Sequence, residues 1–225
     1  MIAWMKKIRH VAVAAAAAAG LAAAPSANAV LVDSVGDSFN VDFYGNGGAL
    51  DATINFTVTD WSLNGLLGMD YVGLQVNVTN NSTLASSRLT SFSIVDFDPE
   101  LLYADATGGW DTSRNVNAGG GYNTVDLCVW DGQNCNGGGN QGVAGAGGSE
   151  TFSLALWFSS LTSAGLDLDP FVAKFQTAAG SYHVDGKPES PTPPTSVPEP
   201  GTLALLGLGL IGIAVARRPA ARVKS

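Results

Sequence analysis

The chain has 225 residues with 19 acidic and 11 basic side chains, which gives a formal net charge of −8. A negative field repels the phosphates of nucleic acids, so DNA and RNA are excluded as expected partners.

Residues 1–29 have the features of a secretory signal peptide. A basic stretch precedes the apolar residues 11–24, and Ala27 and Ala29 provide the small side chains of a signal peptidase site. An uncleaved membrane anchor is the alternative, but this alanine-rich stretch is short and weakly apolar for a membrane span. We therefore expect export through the Sec machinery and a mature chain that begins at Val30.

The exported part divides into a body and a linker. Residues 30–186 have the size of one extracellular domain, and residues 187–197 form a linker rich in Pro, Ser and Thr. All 19 acidic residues lie within residues 30–200, together with only four basic ones, so this stretch carries a net charge of −15. A field of that sign favours solubility and attracts cations.

The body is predicted to be all-β. From Leu50 to Thr59, apolar and polar residues alternate strictly, as in a half-buried strand. The same period recurs in residues 72–78 and 152–158, and a phase slip within residues 92–97 predicts a bulge. Seven to nine antiparallel strands separated by turn residues predict a β-sandwich or jelly roll.

Two cysteines in an exported chain predict a disulfide. Asp131 and Gly132 are a strong two-residue turn signal, and a hairpin centred on them places Cys128 opposite Cys135. The alternative, a metal site, lacks further cysteine ligands, and His183 is the only histidine of the mature chain.

Candidate catalytic and metal-binding residues are few. The carboxylates of Asp96, Asp98, Asp167 and Asp169 are weak candidates for calcium binding or for the paired acids of a glycosidase. Neither an EF-hand spacing nor a nucleophile motif near His183 is present, so we expect solvated turns, no enzyme activity and no resident metal.

Two further interpretations of the body are a cofactor-binding site and an aromatic surface that stacks on sugars. The glycines of residues 137–142 match a dinucleotide fingerprint, but no strand and helix flank them, so we expect no cofactor. Tryptophans that could either stack on sugars or pack in the core are Trp61, Trp110, Trp130 and Trp157.

The carboxyl end, residues 198–225, has the order of a sorting signal. Pro198, Glu199 and Pro200 precede an apolar stretch at 202–216, and a basic stop follows at 217–224. Fifteen helical residues reach about 22 Å, which is short against roughly 30 Å of hydrocarbon and suits a temporary transmembrane helix. A buried core helix or a permanent anchor is less compatible with flanking prolines and arginines.

This tail resembles the PEP-CTERM signal of Gram-negative bacteria. The resemblance rests on the Pro198-Glu199-Pro200 triplet, the short helix and the stop at Arg217 and Arg218. It implies transient anchoring in the inner membrane, recognition and cleavage by an exosortase, and a final place at the cell surface or outside the cell.

Part of the body is similar to the cistern subgroup of these proteins. The similar segments are Cys135 to Gly142, Phe152 to Leu154 and Phe171 to Gln176, with Lys174 where the subgroup more often has arginine. The resemblance implies a noncatalytic surface or matrix protein associated with exopolysaccharide and biofilm. The alternative is a secreted carbohydrate-binding module or a glycan-acting hydrolase.

Overall fold

A computed structural model describes residues 30–63, 68–84, 86–136, 141–161 and 165–191. Within these ranges the chain is all-β, as predicted, with a 3-10 turn at Asn46–Gly48. The strands are β1 (Val30–Val32), β2 (Ser38–Gly45), β3 (Leu50–Ser62), β4 (Asp70–Asn80), β5 (Arg88–Asp98), β6 (Leu101–Ala106), β7 (Asp111–Val116), β8 (Val125–Trp130), β9 (Val143–Ala144), β10 (Gly148–Phe158), β11 (Leu166–Thr177) and β12 (Gly180–Pro188).

The described residues contain twelve strands, more than the seven to nine predicted. Two of the additional strands, β1 and β9, have only three and two residues. Strand β7 is mostly polar, with no fully buried side chain. Hydrophobic periodicity cannot identify strands that are so short or so polar, since it needs several alternating positions.

The long strands follow the predicted alternation, with one correction. In β3 the side chains at even positions from Leu50 to Val58 are buried and line the core. The bulge predicted within residues 92–97 is wrong in position, because the β5–β11 register is continuous there and shifts only at Thr90. The alternation of inward and outward side chains changes phase at the same level in β5 and β11. Phe97 and its partner Leu168 therefore both remain in the core.

A single path of antiparallel pairs connects most strands. Its order is β6-β10-β4-β3-β2-β12-β11-β5-β8-β7, with β1 added on β11 and β9 on β5. Strand β12 joins the two halves, because residues 180–185 pair with β11 and residues 186–188 pair with β2. The two separate sheets of a sandwich or jelly roll are therefore not confirmed.

The two ends of this path, β6 and β7, are linked by side chains. The guanidinium of Arg114 in β7 donates hydrogen bonds to the carbonyls of Leu101 and Leu102 in β6. Thr112 donates to the Ala104 carbonyl at 2.8 Å. The sheet is thus nearly closed, and these contacts cover edge groups that would otherwise be open to pairing.

The core lies between the facing halves of the sheet. The ring of Phe56 in β3 lies 4.9 Å from that of Phe39 and 5.8 Å from those of Phe92 and Phe171. Each buried aromatic or aliphatic side chain of this kind contributes about 1.5–3 kcal/mol. Strands distant in sequence are therefore held together mainly by apolar burial.

The described body ends in an interior strand of the sheet. Strand β12 lies between β11 and β2 and continues to Pro188, two residues beyond the predicted boundary of the domain. After it, the Glu189 amide donates to the Asn40 carbonyl at 2.8 Å, and the Asn40 side chain donates to the Glu189 carboxylate at 3.1 Å. The linker thus starts from a fixed point.

Candidate functional site

The predicted disulfide is present, but not in the predicted hairpin. Cys128 lies in β8 and bonds to Cys135, with the two Cα atoms 6.1 Å apart. Strand β8 already pairs on both sides, because Cys128 is opposite Ser93 of β5 and Ser113 of β7. No edge of β8 remains for a hairpin partner, so Cys135 lies in the following loop.

The disulfide is part of a cap over the outer face of the sheet. We use cap for residues 117–122 and 131–136, which bring Ala118 and Cys135 onto Val125 and Cys128 in a second apolar cluster. Since an outer sheet face is normally polar, this cluster marks a face that the chain itself covers.

Polar side chains of β11 and β12 fasten the cap. His183 bonds through Nε2 to the Ala118 carbonyl at 2.9 Å, and Tyr122 donates to the Asp185 carboxylate. Lys174, which is 4% exposed, donates from Nζ to the Asn136 carbonyl at 2.6 Å. These contacts give His183 a structural role.

The environment of the cap shifts the pKa values of three groups. Burial lowers the pKa of His183, and the charge of Lys174 adds to that effect. Burial also lowers the pKa of Lys174 itself. For Tyr122, burial and the hydrogen bond to Asp185 raise the pKa to about 12. His183 therefore favours its neutral form when the cap is closed.

Two cavities open next to these residues. One, of about 360 Å³, is lined by Asn117, Asn134 and Asn136 beside the disulfide. The other, of about 340 Å³, is lined by Tyr44 and His183 among others. The candidate carboxylates Asp96, Asp98, Asp167 and Asp169 line neither of them.

The four weak calcium candidates lie next to one another. Asp98 is directly opposite Asp167, and Asp96 is opposite Asp169, on strands β5 and β11. Burial raises the pKa of Asp169, and the charges of Asp167 and Asp96 raise it further. No group of three or more potential ligands that could hold a metal ion is found in the described ranges. The register thus assembles an acidic patch.

Three of the tryptophans considered for sugar stacking pack against other side chains. Trp110 is 2% exposed, stacks on Phe152 at 4.8 Å and donates to the Glu150 carboxylate at 2.9 Å. Trp130 donates to the Ser113 hydroxyl at 3.1 Å, and Trp61 packs on the main core. Packing therefore accounts for these three rings.

Trp157 differs because its ring lies in an aromatic row on the outer face. It is directly opposite Tyr71 of β4 and Tyr103 of β6, and the ring centroids are 5.3 Å and 5.0 Å from its own. The three rings are tilted by 54° and 48°, so they form a twisted row and not a flat platform. We call Tyr71, Trp157 and Tyr103 the aromatic strip.

The neighbouring row supplies carboxylates and small side chains. Asp60, Gly73, Ala155 and Asp105 are successive partners across β3, β4, β10 and β6. A Cβ on Gly73 would lie 3.0 Å from the Tyr71 hydroxyl, so the glycine lets that ring lie over the sheet. Both carboxylates are exposed.

A third cavity, of about 340 Å³, extends from the end of the strip. Tyr103, Asp105, Asp111 and Arg114 line it where β6 meets β7. Sequence reasoning considered Trp157 but missed Tyr71 and Tyr103. Their outward positions follow from alternation, but their alignment with Trp157 depends on strand order and register, which one sequence does not give.

The sorting residues lie outside the described residues. This applies to Ala27 and Ala29 and to the tail with Pro198, Glu199, Pro200, Arg217 and Arg218. Among the described residues, no helix is long and apolar enough to cross a membrane. The predicted leader and tail helix thus stay predictions.

The described residues form a β body, and the sequence beyond them predicts a spacer and a carboxyl-terminal sorting segment. The family model described as the PEP-CTERM protein-sorting motif matches residues 196–218. The chain therefore carries a PEP-CTERM motif, which implies an exported protein that an exosortase sorts to the cell surface or releases. The cistern subgroup is not confirmed. Comparison with curated proteins and with solved structures gives no match.

Proposed function

We propose that this chain is a noncatalytic component of the cell surface or extracellular matrix, released from a temporary inner-membrane anchor by an exosortase. The observation that carries the proposal is the sorting motif at residues 196–218. Its place after the body fits removal of the tail, since a short apolar segment needs to hold the protein only until cleavage.

The structure of the body is compatible with loss of the tail. Strand β12 is held between two neighbours, and Glu189 is bonded to Asn40. From Pro188 to Pro198 the linker reaches about 31 Å if it is extended as polyproline II. A membrane protease can therefore reach the motif while the strand stays in the sheet.

The contacts of the candidate residues support a noncatalytic role. His183 is bonded to a backbone carbonyl of the cap. The acidic patch lies on the strand pair β5 and β11, whereas the three cavities are lined by other residues. Catalysis by paired acids needs both groups to flank a bound substrate, and the four aspartates line none of these three cavities.

The carboxyl end of the mature protein tests the proposal. We would express the full-length chain with and without an exosortase and measure the mass of its carboxyl-terminal peptide. We expect a shortened end only with the exosortase, and an intact end when Pro198 and Glu199 are both replaced by Ala. The matched control is Pro194→Ala, which lies before the matched motif and should be cleaved normally. An intact Ser225 in the wild-type protein contradicts the proposal.

Association with exopolysaccharide is the second part of the proposal. The aromatic strip and the acidic surface support it, because a sugar face can pack on an aromatic ring while carboxylates hold its polar groups. The same observation favours the alternative, a dedicated carbohydrate-binding module. Cosedimentation with isolated matrix polysaccharide tests both, and a protein that stays in the supernatant contradicts them.

A further inference from the structure

We propose that the aromatic strip of Tyr71, Trp157 and Tyr103, with Asp60 and Asp105 beside it, binds a polysaccharide whose sugars carry free amino groups. The inference names the ligand class for the proposed association with polysaccharide. The inference rests on that proposed function. It depends on export only because the ligand lies outside the cell.

The rings provide the stacking surface. Tyr103 is 55% exposed, and Trp157 connects it to Tyr71 at centroid distances near 5 Å. Across three antiparallel strands the strip extends for roughly 10 Å, or two strand spacings. That length accommodates more than one sugar ring, and the tilt between rings suits a chain whose successive sugars are rotated.

Charge selects the amino sugar. Asp60 and Asp105 lie at the two ends of the adjacent row, about 14 Å apart over three strand spacings. Small residues, Gly73 and Ala155, lie between them, and the Tyr71 hydroxyl lies over Gly73. An ammonium group can bind both a carboxylate and the face of an indole ring, whereas an anionic sugar would be repelled.

The same charges disfavour a second copy of the chain on this face. Residues 30–200 carry a net charge of −15, so two strips that face each other would bring like charges together. The cavity at the end of the strip adds Asp111 to the carboxylates. A cationic, flexible polymer matches both the surface and its field.

Calorimetric titration of the purified full-length protein in detergent tests the inference without any need for sorting. The probes are a short glucosamine oligomer, the matching N-acetylglucosamine oligomer and an anionic galacturonate oligomer. We expect the glucosamine oligomer to bind most tightly, with an affinity that falls as salt is added. Trp157→Ala should weaken it about tenfold or more, as for a central aromatic contact.

Tyr44 offers a matched control for Tyr103. It is 58% exposed, and the charges of Asp42 and Asp51 raise its pKa, so it too lies near carboxylates, but outside the strip. Tyr103→Ala should weaken binding and Tyr44→Ala should leave it within about twofold. Asp105→Asn should reduce the preference for glucosamine over the acetylated oligomer.

Several results would overturn the inference. One is unchanged binding in Trp157→Ala, provided that the thermal unfolding of this variant shows it to be folded. Others are an equal loss in Tyr44→Ala, or binding of the galacturonate oligomer at least as tight as that of glucosamine. Self-association that Trp157→Ala removes, without sugar binding, would assign the strip to a second copy. If the protein does not bind the glucosamine oligomer but its carboxyl end is cleaved normally, the sorting proposal stays intact.

Discussion

Single residues determine how the cap closes over the sheet. The turn at 119–121 consists of three glycines with positive φ, and it lies against the imidazole of His183. Sequence alone marks these glycines as a turn, but it cannot show that one of them lies under a ring from β12. His183 lies roughly sixty residues further along the chain, so only the fold brings it to this turn.

Gly120→Ala should destabilise the protein by about 2–4 kcal/mol. The position has φ +63°, and an added Cβ would overlap the His183 ring. Gly121→Ala is the control, because φ there is +101° but nothing lies within 4 Å of a Cβ. Urea unfolding should show a smaller loss for Gly121→Ala, about 1–2 kcal/mol. Equal losses would mean that the contact with His183 is unimportant.

The closed cap should become less stable in mild acid. Burial holds the pKa of His183 below its ordinary value of 6.5, so the folded state favours neutral imidazole more than the unfolded state does. The contribution of neutral His183 to the free energy of unfolding is fully present above about pH 6.5. It is lost as the pH falls below that value, because the unfolded chain then binds the proton more readily.

Urea unfolding of the wild type and His183→Gln at about pH 7.5 and about pH 5.5 checks this. The wild type should lose more stability over this interval than the variant, which keeps an amide donor for the Ala118 carbonyl but has no titrating group. Identical pH profiles would contradict the prediction.

At the level of elements, periodicity predicted long strands and missed the connections between them. Strand β3 was evident because the ten consecutive positions 50–59 alternate, whereas β7 has no such pattern. The cysteines show the same limit: their proximity was predicted correctly from a hairpin that does not form, since both sides of β8 were already paired. Strand partners depend on the whole topology and not on local turns.

Removing the disulfide should loosen the cap without unfolding the main core. Closing a loop between Cys128 and Cys135 contributes about 2.5 kcal/mol in the chain-entropy model. We therefore expect the double variant Cys128→Ala and Cys135→Ala to lose about 2–3 kcal/mol in urea unfolding. Amide hydrogen exchange should accelerate first in the cap. Acceleration that starts in β3 would contradict this assignment.

Arg114 should be important for closing the sheet. Its guanidinium bonds to two carbonyls of β6, and hydrogen bonds from charged groups contribute about 1.5–3 kcal/mol each. Arg114→Met should lower stability by at least about 1.5 kcal/mol and accelerate amide exchange in β6. The comparison is Arg88→Met, which loses a single bond to the Gly142 carbonyl at 3.1 Å. A larger effect at Arg88 would contradict the role given to Arg114.

For the whole molecule, composition predicted the acidic exterior and motif order predicted the sorting route. The aromatic strip could not be predicted from the sequence, because Tyr71 and Tyr103 lie beside Trp157 only through the strand order β6-β10-β4. The acidic patch was partly foreseen: the four aspartates were named, but their pairing across β5 and β11 was not. Global properties can be added up along a sequence, whereas surfaces depend on which strands become neighbours.

Cleavage of the leader after Ala29 would create a new charge at the start of β1. Val30 lies opposite Leu168, which is the neighbour of Asp169 along β11. If the leader is cut after Ala29, a new α-ammonium appears beside a carboxylate whose buried Oδ1 atom has no hydrogen-bond partner among the described residues. The new α-ammonium would then supply a counter-ion for Asp169.

NMR titration of the mature protein, with its amines labelled by reductive ¹³C-methylation, checks this. The α-amine pKa should lie above its ordinary range of about 7.7–8.0 and fall back in Asp169→Asn. An ordinary value that the substitution does not change would show that the amine and the carboxylate never meet.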